Sequence, residues 1–378
     1  MTHDELHIRR ALELARGGIG LVSPNPAVGA VVLDSSGKEA GAGTHTYDGV
    51  KHAEVLALEQ AGERARGGTL YLNLEPCSHQ GRTGPCADVV IAAGIRRVVC
   101  SMVDPNPQVA GRGFARLRAA GIQVDIGLGE AEAKKLNESF ARYIRTGLPL
   151  VTLKSAMTLD GKIAPPAHIT TAEQKGAQRT QWITGEVARA HVQRLRHQQD
   201  ALLVGVGTVM TDDPLLTDRS GLPRRRKLLR VILDSYLRTP IASRLVQTAN
   251  HDVLVFYSTA EEHARQALEA KGIRVEQIAP ADADGRPSFA TVIERLGKLE
   301  ITSLVIEGGA QVNGKALASD AVDKVFLYFS PRILGEEAVP FTGGEGIGGK
   351  AKNLKQVKLH YFGEDFAVEG YLKDPYKD

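Results

Sequence analysis

The chain has 378 residues, long for one domain, and 43% of them are hydrophobic, enough for ordinary packed cores. A formal net charge of +3 and 5% aromatic residues give no argument for a polyanion-binding surface. Three cysteines, an odd number, argue against a disulfide framework, and no run approaches the roughly 18 apolar residues that a membrane span requires. The first residues are charged and polar, without an apolar signal segment, so a soluble cytoplasmic protein is expected.

Residues 4–17 predict a helix, with Leu6, Ile8, Ala11, Leu12 and Ala15 at helical spacing and Gly17-Gly18 as its stop. Ser23-Pro24-Asn25-Pro26 is a fixed loop. Asn25 there is either a structural turn residue or an amide that offers donor and acceptor to a planar base. Residues 28–33 read as a buried strand, followed by a turn at 34–38 and a return strand through Gly43. His45, taken alone, is a surface or packing histidine. Residues 52–65 have helical character, which puts His52 and Glu54 in a first turn. A strand over 69–74 ends at Glu75-Pro76-Cys77. Gly81-Arg82-Thr83-Gly84-Pro85 forms a loop in which Arg82 and Thr83 can hold an anion. A strand at 96–103, with Cys100 in the core, leads to Asp104-Pro105-Asn106-Pro107. A helix near 113–120, a strand near 122–126 and one helix over 130–145 complete the first half, and the alternation argues an α/β layer architecture.

A histidine, two cysteines and a nearby carboxylate are what a catalytic zinc site needs: three protein ligands and an open position for water. His-Ala-Glu alone is a common helical tripeptide, and two cysteines alone are usually buried hydrophobes. The order H-x-E, then P-C, then a second cysteine is the pattern of zinc deaminases. The spacing departs from that pattern, because eight residues separate Cys77 from Cys86 where P-C-x-x-C has two.

A new start at Leu150-Val151-Thr152-Leu153-Lys154 puts a boundary near 147. The second half carries strand–glycine–helix turns at 201–208 and 304–310, which suit phosphate but do not match G-x-G-x-x-G. Arg224-Arg225-Arg226-Lys227 reads as a solvated loop rather than a grip for the cofactor's extra phosphate. The glycine-rich stretch 343–349 is a flexible loop by composition, before a last strand pair near 354–372.

Pro24-Asn25-Pro26-Ala27-Val28-Gly29, His52-Ala53-Glu54, Leu74-Glu75-Pro76-Cys77-Ser78-His79, Gly81-Arg82-Thr83 with Cys86, and 104–113 closely resemble the bifunctional riboflavin-biosynthesis deaminase–reductases, whose long cysteine gap this chain shares. In the second half, Leu159-Asp160-Gly161-Lys162, Gln181-Trp182-Ile183-Thr184, 204–217 and Glu307-Gly308-Gly309 resemble the reductase part of that family. The resemblance implies an α/β protein: an N-terminal cytidine-deaminase-like α/β/α layer domain over 1–146 and a C-terminal dihydrofolate-reductase-like α/β domain over 147–378. It implies zinc on His52, Cys77 and Cys86, with Glu54 moving protons. Asn25 and His45 would lie near the pyrimidine, and Arg82 and Thr83 near the ribose phosphate. NADPH would contact Ala156, Trp182, Thr208, Asp212, Ser235, Gly309, Ala310, Gln311, Val312, Asn313, Gly314 and Lys315. Lys154, Thr180, Arg196, Leu216, Arg219 and Glu307 would face the sugar phosphate, with Lys154 and Asp160 as polar groups near hydride transfer. One small phosphorylated pyrimidine would be deaminated, then reduced from ribosyl to ribityl, by a cytoplasmic homo-oligomer with no nucleic-acid or membrane partner. Between Gly161 and Trp182 the chain is longer than the family's usual linker, and Gln178-Arg179-Thr180 replaces an acidic-Ser approach while keeping a hydroxyl. A nucleic-acid editing deaminase would show the short cysteine spacing and a basic, aromatic-rich face. A structural zinc module would show four protein ligands.

Overall fold

The computed structural model describes residues 1–79, 84–166, 182–280, 285–344 and 351–377; Arg82, Thr83 and Thr180 lie outside the described residues. The chain divides into two compact units, Met1–Gly147 with Pro223–Arg226, and Leu148–Leu222 with Lys227–Asp378.

Helix α1 (His3–Gly17) opens the first unit with a capping box, in which Thr2 and Glu5 satisfy each other's backbone N–H. Its buried face is Ile8, Ala11, Leu12 and Ala15; Leu6, expected in that stripe, is exposed. The hairpin β1 (Gly29–Leu33) and β2 (Glu39–Thr44) precedes α2 (Ala53–Ala61), which tightens into a 3₁₀ turn over Gly62–Ala65. Then come β3 (Thr69–Leu72), α3 (Cys86–Ala92), β4 (Arg97–Cys100), α4 (Arg112–Ala119), β5 (Gln123–Ile126), α5 (Glu130–Leu136) and α6 (Glu138–Thr146). The sheet order is β2-β1-β3-β4-β5, with β1 antiparallel to both neighbours and β3, β4 and β5 parallel. Helix α1 packs on β1 and β3, and α2 packs on β2 and β1. Gly43 sets how closely α2 approaches: a Cβ there would lie 2.2 Å from the Ala53 carbonyl oxygen, at the start of the helix.

Three expectations need correction. The helix over 130–145 is two helices broken at Asn137, a buried residue whose Oδ1 accepts from Ala27 N at 2.8 Å and whose Nδ2 donates to Ala27 O at 3.1 Å. Strand β3 stops at Leu72 because Asn73 likewise turns inward, accepting from Gly29 N at 2.9 Å and donating to Ala27 O at 2.9 Å. Arg224–Arg226 is not a solvated run. The segment belongs to the first unit, where the Arg225 guanidinium stacks 3.8 Å from the Tyr47 ring centre and Arg226 donates to Ser23 Oγ at 2.8 Å.

The second unit is built on nine strands in the order β11-β10-β9-β8-β12-β6-β13-β16-β15. They are β6 (Leu150–Thr158), β8 (Ala201–Gly205), β9 (Leu229–Leu233), β10 (Val253–Tyr257), β11 (Arg274–Gln277), β12 (Ser303–Ile306), β13 (Lys324–Ser330), β15 (Lys355–Phe362) and β16 (Asp365–Tyr371). The last two join antiparallel and the others run parallel. A small pair, β7 (Lys162–Ala164) and β14 (Val339–Pro340), stands apart. The helices are α7 (Glu186–His197), α8 (Val206–Asp212), α9 (Arg244–Gln247), α10 (Glu262–Glu269), α11 (Phe289–Lys298) and α12 (Ala310–Ala318). Parallel strands covered on both faces need continuous apolar runs. Strand β8 meets that need: Leu202 and Val204 enter one core cluster while Ala201 and Leu203 enter another. No described helix is long and apolar enough to cross a membrane.

The seat of α2 is testable. Gly43→Ala should destabilise the first unit by about 1–3 kcal/mol, the usual cost of forcing atoms into a packed contact. Hydrogen exchange should accelerate over 39–61 and stay unchanged over 201–205. Unchanged exchange over 39–61 would refute the close contact.

Candidate functional site

Three side chains distant in sequence meet beyond the carboxyl end of β3. His52 is the N-cap of α2, Cys77 follows the irregular exit of β3, and Cys86 is the first residue of α3. His52 Nδ1 lies 3.1 Å from Cys86 Sγ and 3.7 Å from Cys77 Sγ, and the three ligand atoms all fall within 4.8 Å of one another. Zinc, at about 2.0 Å from nitrogen and 2.3 Å from sulfur, holds tetrahedral ligand atoms about 3.5 Å apart. The triangle fits that ion, and it is the one such group among the described residues.

The sulfurs are prepared for a cation. A hydrogen bond from Cys86, reinforced by His52, pulls the Cys77 thiol well below the ordinary thiol range against the effect of burial. The same bond, with burial, pushes Cys86 up. A thiolate at Cys77 is thus favoured, and metal binding at such a site releases the remaining thiol proton. The backbone N–H of Cys86 also donates to Cys77 Sγ at 3.3 Å. His52 is raised by its hydrogen bond to Cys77, which outweighs burial.

Glu54 lies two residues past His52 and is 4% exposed. Burial raises its pKa, and its Oε2 has no hydrogen-bond partner. The carboxyl opens on a cavity of roughly 240 Å³ that is also lined by Asn25, His45, His52, Cys77, His79, Asp104 and Asn106, with Val28, Leu74, Phe140 and Ile144 as apolar walls. His45 is buried, not a surface residue: its Nδ1 lies 2.9 Å from the Lys51 carbonyl and its Nε2 3.0 Å from Asn25 Nδ2. Those partners assign the proton to Nδ1 and make Nε2 the acceptor from Asn25. Sequence reasoning attached no role to Asp104 or Asn106. The signal was present, because Pro105-Asn106-Pro107 repeats the form of Pro24-Asn25-Pro26. Asp104 is pushed up to about 7, first by burial, against the hydrogen bond from Asn106 N.

In the second unit the expected cofactor and substrate residues gather at the carboxyl ends of neighbouring parallel strands, where open α/β sheets bind ligands. Thr208 follows β8, Ser235 follows β9, Glu307 and Gly309 follow β12, and Lys154 and Ala156 lie along β6. A Cβ on Gly309 would be 4.0 Å from Thr208 Oγ1, so the two glycine turns adjoin. Within α12, Asn313 and Gly314 are buried, and Asn313 Nδ2 donates to Phe341 O at 2.9 Å. Leu216 is buried at φ 55°, its side chain in the core, while Arg219 is exposed. Trp182 is 55% exposed, with the Arg189 guanidinium 5.1 Å from its ring centre. Asp160 accepts from Gly335 N at 2.8 Å and holds that turn.

Glu307 ties this region together. Arg196 donates to it through Nε at 2.7 Å and Nη2 at 3.0 Å, and Lys154 Nζ donates at 3.3 Å. Arg196 Nη1 also donates to Thr217 O at 3.0 Å, so the fork expected for phosphate is engaged within the protein. Burial by itself would raise the Glu307 carboxyl, but Arg196 and Lys154 outweigh it and hold the group at about 2.

A family model described as the RibD C-terminal domain matches residues 149–368, and one described as the cytidine and deoxycytidylate deaminase zinc-binding region matches residues 1–102. The riboflavin biosynthesis protein RibD of Actinobacillus pleuropneumoniae is 39% identical over 372 residues, covering 98% of this chain and 95% of that protein. The RibD protein of Escherichia coli is 40% identical over 346 residues, covering 89% of each. Among solved structures, Acinetobacter baumannii RibD, form 1, superposes with a TM-score of 0.81 at 34% identity, covering 98% of each chain. The diaminohydroxyphosphoribosylaminopyrimidine deaminase/5-amino-6-(5-phosphoribosylamino)uracil reductase of Thermotoga maritima superposes with a TM-score of 0.79 at 36% identity, also covering 98% of each.

The Glu307 tie has a pH signature. A carboxyl with a depressed folded pKa stabilises fully above its unfolded value of 4.5, and that stabilisation is lost as pH falls from there toward about 2. The contribution is on the order of 3 kcal/mol. Glu307→Gln should lower stability at neutral pH and flatten the acid limb between those values, read from thermal melts at a series of pH. An acid limb identical to that of the parent would exclude the tie.

Proposed function

This chain belongs to the RibD family, the bifunctional deaminase–reductases of riboflavin biosynthesis, and from that premise we infer how its residues divide the work. The enzyme deaminates 2,5-diamino-6-(5-phosphoribosylamino)pyrimidin-4(3H)-one and then reduces the ribosyl group of 5-amino-6-(5-phosphoribosylamino)uracil to ribityl with NADPH. In this reading residues 1–146 carry the deamination and 147–378 the reduction.

His52, Cys77 and Cys86 would hold the zinc that supplies Lewis acidity and an activated water at the amino-bearing ring carbon. Glu54 does the proton work. Burial raises its pKa above the ordinary carboxylate range, which favours taking a proton from water and returning it to the departing amine, and the unpartnered Oε2 is available for the transfer. Asn25, held by His45, has an amide oxygen to set against the ring's edge. Arg82 and Thr83 complete the substrate contacts at the ribose phosphate. The observation that carries this half is the ligand triangle beside a buried glutamate whose Oε2 has no hydrogen-bond partner.

NADPH, when bound, would supply the hydride for the second step, at the anomeric carbon that is electrophilic when the sugar opens as an imine. Ala156, Trp182, Thr208, Asp212, Ser235 and 309–315 would orient the cofactor, a reading supported for Thr208, Ser235 and Gly309 by their place just past the carboxyl ends of β8, β9 and β12. By the resemblance Lys154, Thr180, Arg196, Leu216, Arg219 and Glu307 would frame the sugar phosphate, Leu216 by its backbone since its side chain is in the core. Phosphorylated substrates do not cross membranes unaided, which suits a cytoplasmic enzyme. The edge strand β15 exposes Val357 (53%), Leu359 (57%) and Tyr361 (77%), which suits self-association; sedimentation of the purified protein checks it.

Supplying the phosphoribosyl diaminopyrimidinone with NADPH and following ammonia and NADPH loss together tests the whole reading. Glu54→Gln should keep zinc and cut ammonia release by roughly 10²–10⁴-fold, with NADPH oxidation on the deaminated substrate unchanged. Retained deamination would sink the role given to Glu54. Cys77→Ala should lose stoichiometric zinc by elemental analysis, and full retention would remove Cys77 from the ligand set.

A further inference from the structure

Glu75 is outside the ligand triangle, yet its carboxylate is 3% exposed and fully engaged. Its Oε2 accepts from the backbone N–H groups of Asp104 at 3.1 Å and Gly111 at 2.9 Å. Its Oε1 accepts from those of Gly113 at 2.8 Å and Phe114 at 3.2 Å. Four amides on one carboxylate tie both ends of the 104–114 turn to the residue that leads into Pro76-Cys77. Helix α4 begins at Arg112, so the Gly113 and Phe114 amides are among those with no partner inside the helix. A negative charge there is also favoured by the helix dipole.

The turn is stiff between these anchors. Asp104 Oδ1 accepts from Asn106 N at 2.8 Å, Asn106 Oδ1 accepts from Gln108 N at 3.0 Å, and the Val109 and Ala110 amides donate to Asn106 O. It also lies flush against the Glu75-Pro76 backbone, since a Cβ on Gly113 would sit 2.1 Å from Pro76 O. A stiff turn held at its ends moves as one piece. Asp104 and Asn106, which line the cavity with Glu54, are therefore placed by Glu75.

We propose that Glu75 is a positioning residue for deamination: it sets the 104–114 turn against Cys77 and so fixes the cavity wall formed by Asp104 and Asn106. The proposal rests on the reading of this cavity as the deaminase site.

The test uses the full-length, zinc-loaded enzyme. Glu75→Gln turns an N–H donor toward amide donors. It should lower deaminase kcat/KM by roughly 10- to 100-fold, with zinc content and NADPH oxidation on the deaminated substrate unchanged. Because Glu75 acts through the turn, the substitution should cost little more in an Asn106→Ala background. Gly113→Ala, which leaves the carboxylate in place but displaces the turn, should give the same kinetic signature. In the wild type, the Gly111, Gly113 and Phe114 amides should exchange slowly with deuterium. Parent-like deamination by Glu75→Gln, additive effects with Asn106→Ala, or fast exchange of those amides would each overturn the proposal. Should Glu75→Gln fail to fold, Gly113→Ala and the wild-type exchange decide it. A wild type that releases no ammonia would instead overturn the deaminase reading, and the exchange measurement would still judge the anchor.

Discussion

The first unit depends on bringing two thiols and an imidazole closer together than neutral packing would favour. A thiolate is costly to bury without a cation or hydrogen-bond donors. The fold supplies donors on rigid supports: the Cys86 amide at the start of α3 and the ring of His52 at the start of α2. Those starts are placed by close backbone contact, with α2 pressed on β2 where Gly43 leaves no room for a side chain. The irregular exit of β3 then swings Cys77 into reach. Asn73 stops the strand, and Glu75 gathers the amides of the 104–114 turn beside that exit. Chemistry at the site is thus inherited from backbone packing one layer below it.

How much of this the sequence reveals depends on the range of the interaction. The ligand set was legible because residue type and local spacing carry it: a histidine two residues before a glutamate, and Pro-Cys after a strand. Strands β1, β3 and β4 were legible because apolar runs report burial, whereas β2 and β5 were read from the turn and helix next to them. What stayed hidden depends on backbone groups, which every residue has. Nothing in a sequence says that Glu75 will find amides at 104, 111, 113 and 114, or that Asn137 and Asn73 will both bond to Ala27 and break their elements there. Arg224–Arg226 misled for a related reason, since a run of charge reads as solvated until an aromatic face such as Tyr47 is brought beneath it. In the second unit the glycine turns at 205–208 and 307–310 were visible as turns. Their adjacency was not, because it follows from β8 and β12 pairing in parallel.

The two units also show how one residue type takes opposite roles. Glu54 is 4% exposed and the Glu307 side chain 11%, and both lie close to a strand end or a helix start. Among the described residues no Lys or Arg forms an ion pair with Glu54, and burial raises its pKa against the opposing pull of His52. Glu307 faces Arg196 and Lys154, so it stays ionised to about pH 2. A group that cannot change its charge at working pH is a poor acid or base. It is a good fixed negative point: it orients Lys154 in the middle of β6 and, through Arg196, the Thr217 backbone. The second carboxylate is locked between Arg196 and Lys154, and that rigid arrangement decides where the lysine's charge sits.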